Sequence, residues 1–282
     1  MKLSRREWLS GAAAVVAASA FDRAAAQPAR RLFDGHFHII DHRFPIVENQ
    51  GYTPPHFPLE DYLKETKPLG VIAGAVVSGS FQANDQTYLA DVLPKLGTGW
   101  VGVTQIANDC PDAEIVRLNG IGVRAVRFNV FRGRIDTVDD IVALATRVHS
   151  VAGWHSEIYA DAAALKPHVA KLSKLPQISI DHLGMTEAGI PTLLELVAAG
   201  CKVKASGFGR VKMDVPKALE AVAKQSPNAL VFGSDIPSTR AQRAFEPSDI
   251  DLVEKVLGGE LAKKVYWDNP LALYRVKTTV AG

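Results

Sequence analysis

From residue 32 onward, short runs rich in β-branched and aromatic residues alternate with amphipathic stretches almost without a break. The runs that read as strands are "LFDGHFHI" (32–39), "VIAGAVVS" (71–78), "WVGVTQI" (100–106), "VRAVRFN" (123–129), "HSEIYA" (155–160), "QISID" (177–181), "KVKAS" (202–206) and "ALVFGSD" (229–235). Between several of them, "DQTYLADVLPKLG", "TVDDIVALATRVHSVAG", "AAALKPHVAKLSKLP", "TLLELVAAG" and "DVPKALEAVAKQSP" carry the apolar spacing and closing Gly or Pro of helices. Eight strand–helix units predict a closed parallel (β/α)8 barrel of the TIM type, ringed by helices. An open doubly wound sheet would usually have fewer strands, and no Gly-rich phosphate fingerprint follows the first one.

The first residues stand apart from this pattern. "LSRREWLS" sets two arginines ahead of the apolar run "GAAAVVAASA" and the small-residue stretch "AAAQ". This layout resembles a twin-arginine export signal, with an apolar run about half the ~20 residues a spanning helix needs. It predicts a leader over 1–26, a single barrel domain over 27–282 and a periplasmic location. No later segment is long and apolar enough to span a bilayer. The net charge is +2 and no basic stripe stands out, which argues against nucleic acid as a partner. Cys110 and Cys201 fall at opposite ends of predicted strands, beyond disulfide reach, so two free and mostly buried thiols are expected.

One long irregular stretch, residues 40–61, follows the first strand and so belongs over the C-terminal mouth where barrel enzymes place their sites. It reads equally as a lid or as an ordered arm. His36 and His38 lie two apart on the first strand and therefore share a face, and their neighbours Gly35 and Phe37 favour the inward one. Such a pair alone is a weak signal. Asp181 and His182 end the sixth strand, however, and Asp235 ends the eighth, so three imidazoles and a carboxylate are delivered to one rim. The plain alternative for Asp235 is a helix N-cap. His42, His56, His149, His155 and His168 have no comparable placement.

Taken in order, "FDGHFHI", "NDQTYL", "VRAVRFN", "EIYADAAAL", "ISIDHLG", "VFGSDIP" and "WDNPLALYR" resemble the amidohydrolase superfamily, in the branch of the 2-pyrone-4,6-dicarboxylate lactonases and related sugar-lactone and muconolactone hydrolases. The resemblance implies that His36, His38 and His182 polarise a substrate carbonyl and that Asp235 is the general base on water. It implies substrate contacts from Arg127, Asn129, Tyr159 and Arg210, with Arg127 gripping a carboxylate. The fourth strand lacks the bridging Lys or Glu of a two-metal site and the fifth lacks its histidine, so a binuclear centre is not expected. One divalent ion, zinc foremost, on His36, His38, His182 and Asp235 is one expectation; no obligatory metal is the other and the preferred one. The chain departs from the branch at Ser238, where the dicarboxylate lactonases carry a histidine, and at Gly133, where Arg132 and Arg134 flank the place of a second arginine. Opening of a lactone or related cyclic ester of a small carboxylated molecule is the expected function. Metal-dependent decarboxylation of an unsaturated or aromatic acid, and a non-catalytic periplasmic acid-binding barrel, are its rivals.

Overall fold

The computed structural model of the protein describes residues 30–132 and 137–277. The leader expected over 1–26 and Arg134 lie outside these residues. Strands β1 (Leu32–Phe37), β2 (Val71–Val77), β3 (Trp100–Thr104), β4 (Val123–Phe128), β5 (His155–Ile158), β6 (Ile178–Ile180), β7 (Lys202–Ala205) and β8 (Leu230–Phe232) pair in parallel in chain order. All eight expected strands are present. Most stop short of their sequence runs, because the residues at their C-terminal ends leave the ladder to form the mouth.

Helices α1 (Leu59–Thr66), α2 (Thr87–Leu96), α3 (Asp112–Gly120), α4 (Val138–Ala152), α5 (Val169–Leu172), α6 (Ile190–Ala198), α7 (Val215–Gln225) and α8 (Pro247–Leu257) ring the barrel. α9 (Gly259–Lys263) and α10 (Asn269–Tyr274) follow, separated by a π-helical turn over Lys264–Asp268. α4 starts on a reciprocal cap: Thr137 Oγ1 accepts from the Asp140 amide at 3.1 Å, and the Asp140 carboxylate accepts from the Thr137 amide at 3.0 Å. The stretch 162–176, expected as one helix, is instead a 3-10 run over Ala162–His168 followed by the short α5. Pro167 inside it has no N–H to give and its ring crowds the preceding turn. Among the described residues no helix is long and apolar enough to cross a membrane. Cys110 and Cys201 are unpaired as expected, but only Cys201 is buried.

Two apolar layers follow from the barrel. Outside the sheet, Leu, Ile and Val from strands and helices form one cluster. Inside it, Phe33, Ala73, Ala75, Val77, Val101, Val103, Ala125 and Val231 pack with Leu273 and Tyr274 of α10. Small residues on β2 to β4 leave room that the two α10 side chains fill, so the lower barrel is solid and only the upper rim is open for chemistry.

β1 carries the device that aims the site. Asp34 pairs with Gly74 and Phe37 with Val76, so β1 holds one residue more than β2 over the same span. This bulge shifts the alternation: Phe33 joins the inner cluster, and His36, three residues on, also faces inward. The barrel then closes where β1 meets β8. The Asp235 amide donates to the His36 carbonyl at 2.7 Å and the His38 amide to the Ile236 carbonyl at 2.8 Å. The buried Asp34 carboxylate accepts from the Ser234 amide at 2.8 Å and from Tyr62 Oη at 3.0 Å. Glycines permit this approach: a Cβ on Gly35 would stand 2.6 Å from the Phe232 carbonyl oxygen, and one on Gly233 would stand 2.6 Å from His36 Cβ. Gly233→Ala is expected to lose about 1–3 kcal/mol of stability by overpacking, read by urea unfolding; an unchanged midpoint would show that the seam tolerates a methyl group.

Candidate active site

The ends of β1, β6 and β8 bring together the four residues that the sequence placed on one rim. The His36 ring centroid is 5.1 Å from that of His38 and 4.7 Å from that of His182. Asp235 Oδ1 lies 3.6 Å from His38 Nε2, 3.9 Å from His36 Nε2 and 4.0 Å from His182 Nε2. All four residues are buried. His182 and Asp235 are both held in the left-handed region, with φ of 50° and 62°, a conformation costing about 1–3 kcal/mol for a non-glycine residue.

Each imidazole is fixed from behind by a different group. His38 Nδ1 lies 2.7 Å from the Val77 carbonyl, His182 Nδ1 2.9 Å from Ser206 Oγ, and His36 Nδ1 3.2 Å from Lys204 Nζ. Burial, reinforced for His36 by the Lys204 charge, holds the His36 and His182 rings well below the usual imidazole range, so both are neutral at pH 7. Burial pushes the Asp235 carboxyl up, but the Arg210 guanidinium beside it overrides burial and the group stays ionised well into acid. Arg210 Nε donates to Asp235 Oδ2 at 2.8 Å and its Nη2 to the same oxygen, leaving Oδ1 toward the imidazoles.

Below the rim lies a second layer of charge that the sequence reading did not identify. Lys204 on β7 is fully buried and ion-paired with Glu157 on β5. Glu157 Oε1 is 3.1 Å from His155 Nε2 and 2.7 Å from Tyr274 Oη. Burial acts to raise Glu157, yet Lys204 and His155 hold it below the ordinary carboxylate range. Arg127 belongs to this layer too. Its Nε and Nη2 both lie 2.9 Å from Asp181 Oδ2, and Nη1 lies 2.9 Å from the Ser78 carbonyl. It borders the pocket, but its fork is already engaged with protein groups.

A cavity of about 360 Å³, counting space open to its mouth, sits above the imidazoles and is lined by His38, Tyr52, Phe81, Arg127, Asn129, Arg132, Tyr159, His182, Arg210 and Arg240 among others. Thus Arg127, Asn129, Tyr159 and Arg210 are all on its wall. Arg210 faces Asp235 rather than open space. Arg240, unflagged by any sequence motif, stacks 4.5 Å from the Tyr52 ring centroid and donates from Nη1 to Asn49 Oδ1 at 3.1 Å. Among the described residues neither Arg132 nor Arg240 is ion-paired with a carboxylate. The irregular segment is an ordered arm: Ile40 and Phe57 pair antiparallel, and Tyr52 lines the pocket. His56 is exposed on that arm, bonded to the His42 amide at 3.2 Å and outside the pocket wall. Ser238 also turns away, its Oγ accepting from the Phe245 amide at 2.9 Å.

His36, His182 and Asp235 each offer a ligand atom, all within 4.8 Å of one another, and with His38 nearby the ligand types would suit one zinc. The surroundings of His36 do not fit. A metal-bound imidazole ordinarily donates its second N–H to an acceptor, whereas Lys204 can only donate, and the nearest carboxylate oxygen, Asp181 Oδ1, is 3.7 Å away. A second trio, His36, Glu157 and Asp181, also lies within 4.8 Å, but Lys204 is seated among these groups and neutralises them.

A parallel barrel whose rim gathers buried imidazoles around an ionised aspartate defines a barrel hydrolase. The amidohydrolase family profile matches residues 33–276, and the chain belongs to that family. It is 26% identical over 273 residues to a 2-pyrone-4,6-dicarboxylate hydrolase of Comamonas testosteroni, covering 86% of this chain and 89% of that one. It is 28% identical over 278 residues to a 4-sulfomuconolactone hydrolase of Rhizobium radiobacter, covering 86% and 90%. A solved structure from Pseudomonas putida, described as a putative 2-pyrone-4,6-dicarboxylic acid hydrolase, superimposes with a TM-score of 0.77 at 25% identity, covering 88% of this chain and 98% of that one.

The Asp235–Arg210 pair gives a stability prediction with a defined sign. Because the Asp235 carboxyl is depressed in the fold, its contribution is present above the unfolded value near ~3.9 and is lost as pH falls through the folded value. Arg210→Met leaves a buried, unpaired carboxylate and should cost about 3–5 kcal/mol at pH 7. Urea unfolding at pH 7 and pH 4 should show that gap narrowing in acid, once the released carboxyl of the variant takes up a proton.

Proposed function

We propose that this amidohydrolase opens a lactone or related cyclic ester bearing at least one further acid group, using water activated by Asp235. The observation that carries the reading is a set of buried polar atoms with no hydrogen-bond partner among the described residues: His36 Nε2, His182 Nε2, Asp235 Oδ1, Tyr159 Oη and Asn129 Oδ1 all belong to this one site. Native interiors rarely leave such groups unsatisfied unless a ligand or water completes them. The names of the relatives from Comamonas testosteroni and Rhizobium radiobacter, a pyrone dicarboxylate hydrolase and a sulfomuconolactone hydrolase, support the same substrate class.

In this mechanism the oxygen of a water bonds to the lactone carbonyl carbon while one of its protons passes to Asp235 Oδ1. The carbonyl π pair moves onto oxygen, which faces the Nε2 atoms of His36 and His182. Collapse restores the C=O bond and breaks the bond to the ring oxygen, which takes the proton back from Asp235. Lactone and water become one hydroxy acid, whose ionisation releases a proton to solvent. Arg210 makes Asp235 a modest base for the first transfer and a strong acid for the second.

Arg132 and Arg240 are the cations to which an incoming carboxylate or sulfonate would turn, since Arg127 is held by Asp181 and Arg210 by Asp235. Arg127, in this reading, floors the pocket. The lack of an acceptor behind His36 favours turnover without an obligatory metal and disfavours the metal-dependent decarboxylase. The twin-arginine pattern supports export, which cell fractionation would test.

A screen of sugar lactones, muconolactones and pyrone carboxylates, followed by pH indicator with and without zinc, tests the activity directly. Absence of turnover across the screen would favour the acid-binding reading. On a substrate so found, Asp235→Asn should lower kcat by about 10²–10⁴-fold with ligand binding retained. Arg132→Met and Arg240→Met should instead raise KM by about 10–100-fold, the value of a charge-assisted hydrogen bond. Protein stripped with chelator and shown metal-free by elemental analysis should keep its turnover; loss restored by zinc would return the metal to the mechanism.

A further inference from the structure

His36 on β1 and His38 just past its end are backed by groups of opposite hydrogen-bonding character. Behind His38 stands the Val77 carbonyl at 2.7 Å, which can only accept, so His38 Nδ1 carries a proton, and a neutral imidazole held this way presents a bare Nε2 to the site. Behind His36 stands the Lys204 ammonium at 3.2 Å, which can only donate, so His36 Nδ1 must offer its lone pair and the ring proton sits on Nε2. Lys204 has no freedom to turn away: it is fully buried, ion-paired with Glu157 and 3.8 Å from Asp181 Oδ1. Backbone geometry pins His38, and a buried ion pair pins His36.

We infer that Lys204 is a positioning residue that locks His36 in the Nε2–H tautomer, opposite to His38, so that the two divide the chemistry: His36 donates to the substrate carbonyl oxygen, while His38 Nε2 and Asp235 Oδ1 together accept the two protons of the attacking water. The roles rest on the hydrolase reading; the tautomers do not. The 3.6 Å between His38 Nε2 and Asp235 Oδ1 gives the water two acceptors on one side of the pocket. With both protons so held, its oxygen lone pair is left for the carbonyl carbon.

The test is long-range ¹H–¹⁵N correlation of the histidine rings in the resting wild-type protein, with peaks assigned by His36→Gln and His38→Gln. The expected result is a protonated Nε2 and bare Nδ1 for His36 and the reverse for His38. A bare His36 Nε2 overturns the proposal even if lactones are opened, whereas the expected tautomers with no turnover keep the Lys204 tautomer lock and remove both the hydrolase reading and the divided roles. Lys204→Met combined with Glu157→Gln removes both buried charges together. In that variant His36 should lose its single tautomer and kcat should fall by about 100-fold or more, as when one oxyanion donor is removed, with KM within a few-fold. Glu157→Gln alone should keep the His36 Nε2–H. A folded double variant with wild-type kcat overturns the positioning role, and if the double variant does not fold the wild-type spectrum still decides the tautomer.

Discussion

Everything at the mouth depends on the join between the first and last strands. Residues nearly 200 positions apart are clamped there by the Asp235 amide on the His36 carbonyl, the His38 amide on the Ile236 carbonyl, and the Asp34 carboxylate holding Ser234. The same bonds that close the barrel fix the spacing between the imidazole pair and the acid. Closure and site assembly are one event, and Gly35 and Gly233 are the residues whose missing side chains allow it.

Apart from Asp34, which neutral donors hold, the acids around the site are matched with cations. Asp235 has Arg210, Asp181 has Arg127, and Glu157 has Lys204, each pair crossing between strands or strand-end loops. Buried pairs of this kind add little net stability against apolar replacements, but removing one partner is costly. Their value here is orientation. A low-dielectric rim with its dipoles already set needs no reorganisation when charge develops on a substrate oxygen.

The eight strands were legible because each is a short run of β-branched and aromatic residues bounded by breakers, and period and punctuation survive in one dimension. His36, His38, His182 and Asp235 were legible because each ends such a run. The bulge in β1 was not, since an extra residue shows only against the partner strand's register. Lys204 was hidden for a different reason: in "KVKAS" alternation reads Val203 and Ala205 as the inward face and the lysines as solvated, but a barrel buries both faces, and the inward one at this height is polar. Glu157 and His155 were passed over likewise, because only three-dimensional pairing explains a buried charge. Arg240 sits in a loop whose path no periodicity encodes. The broken helix at 162–176 carried a legible warning in Pro167, outweighed by its apolar spacing.

Tyr274 lies on α10, beyond every strand of the barrel, yet its hydroxyl reaches the floor of the site, 2.7 Å from Glu157 Oε1 and 2.9 Å from the Gly35 carbonyl. A ribosome delivers that residue only after all eight staves have emerged. Until it docks, Glu157 Oε1 lacks its hydroxyl donor and the lower barrel is unplugged. The plug of the lower barrel is therefore the last of these parts to be synthesised, after every strand it packs against.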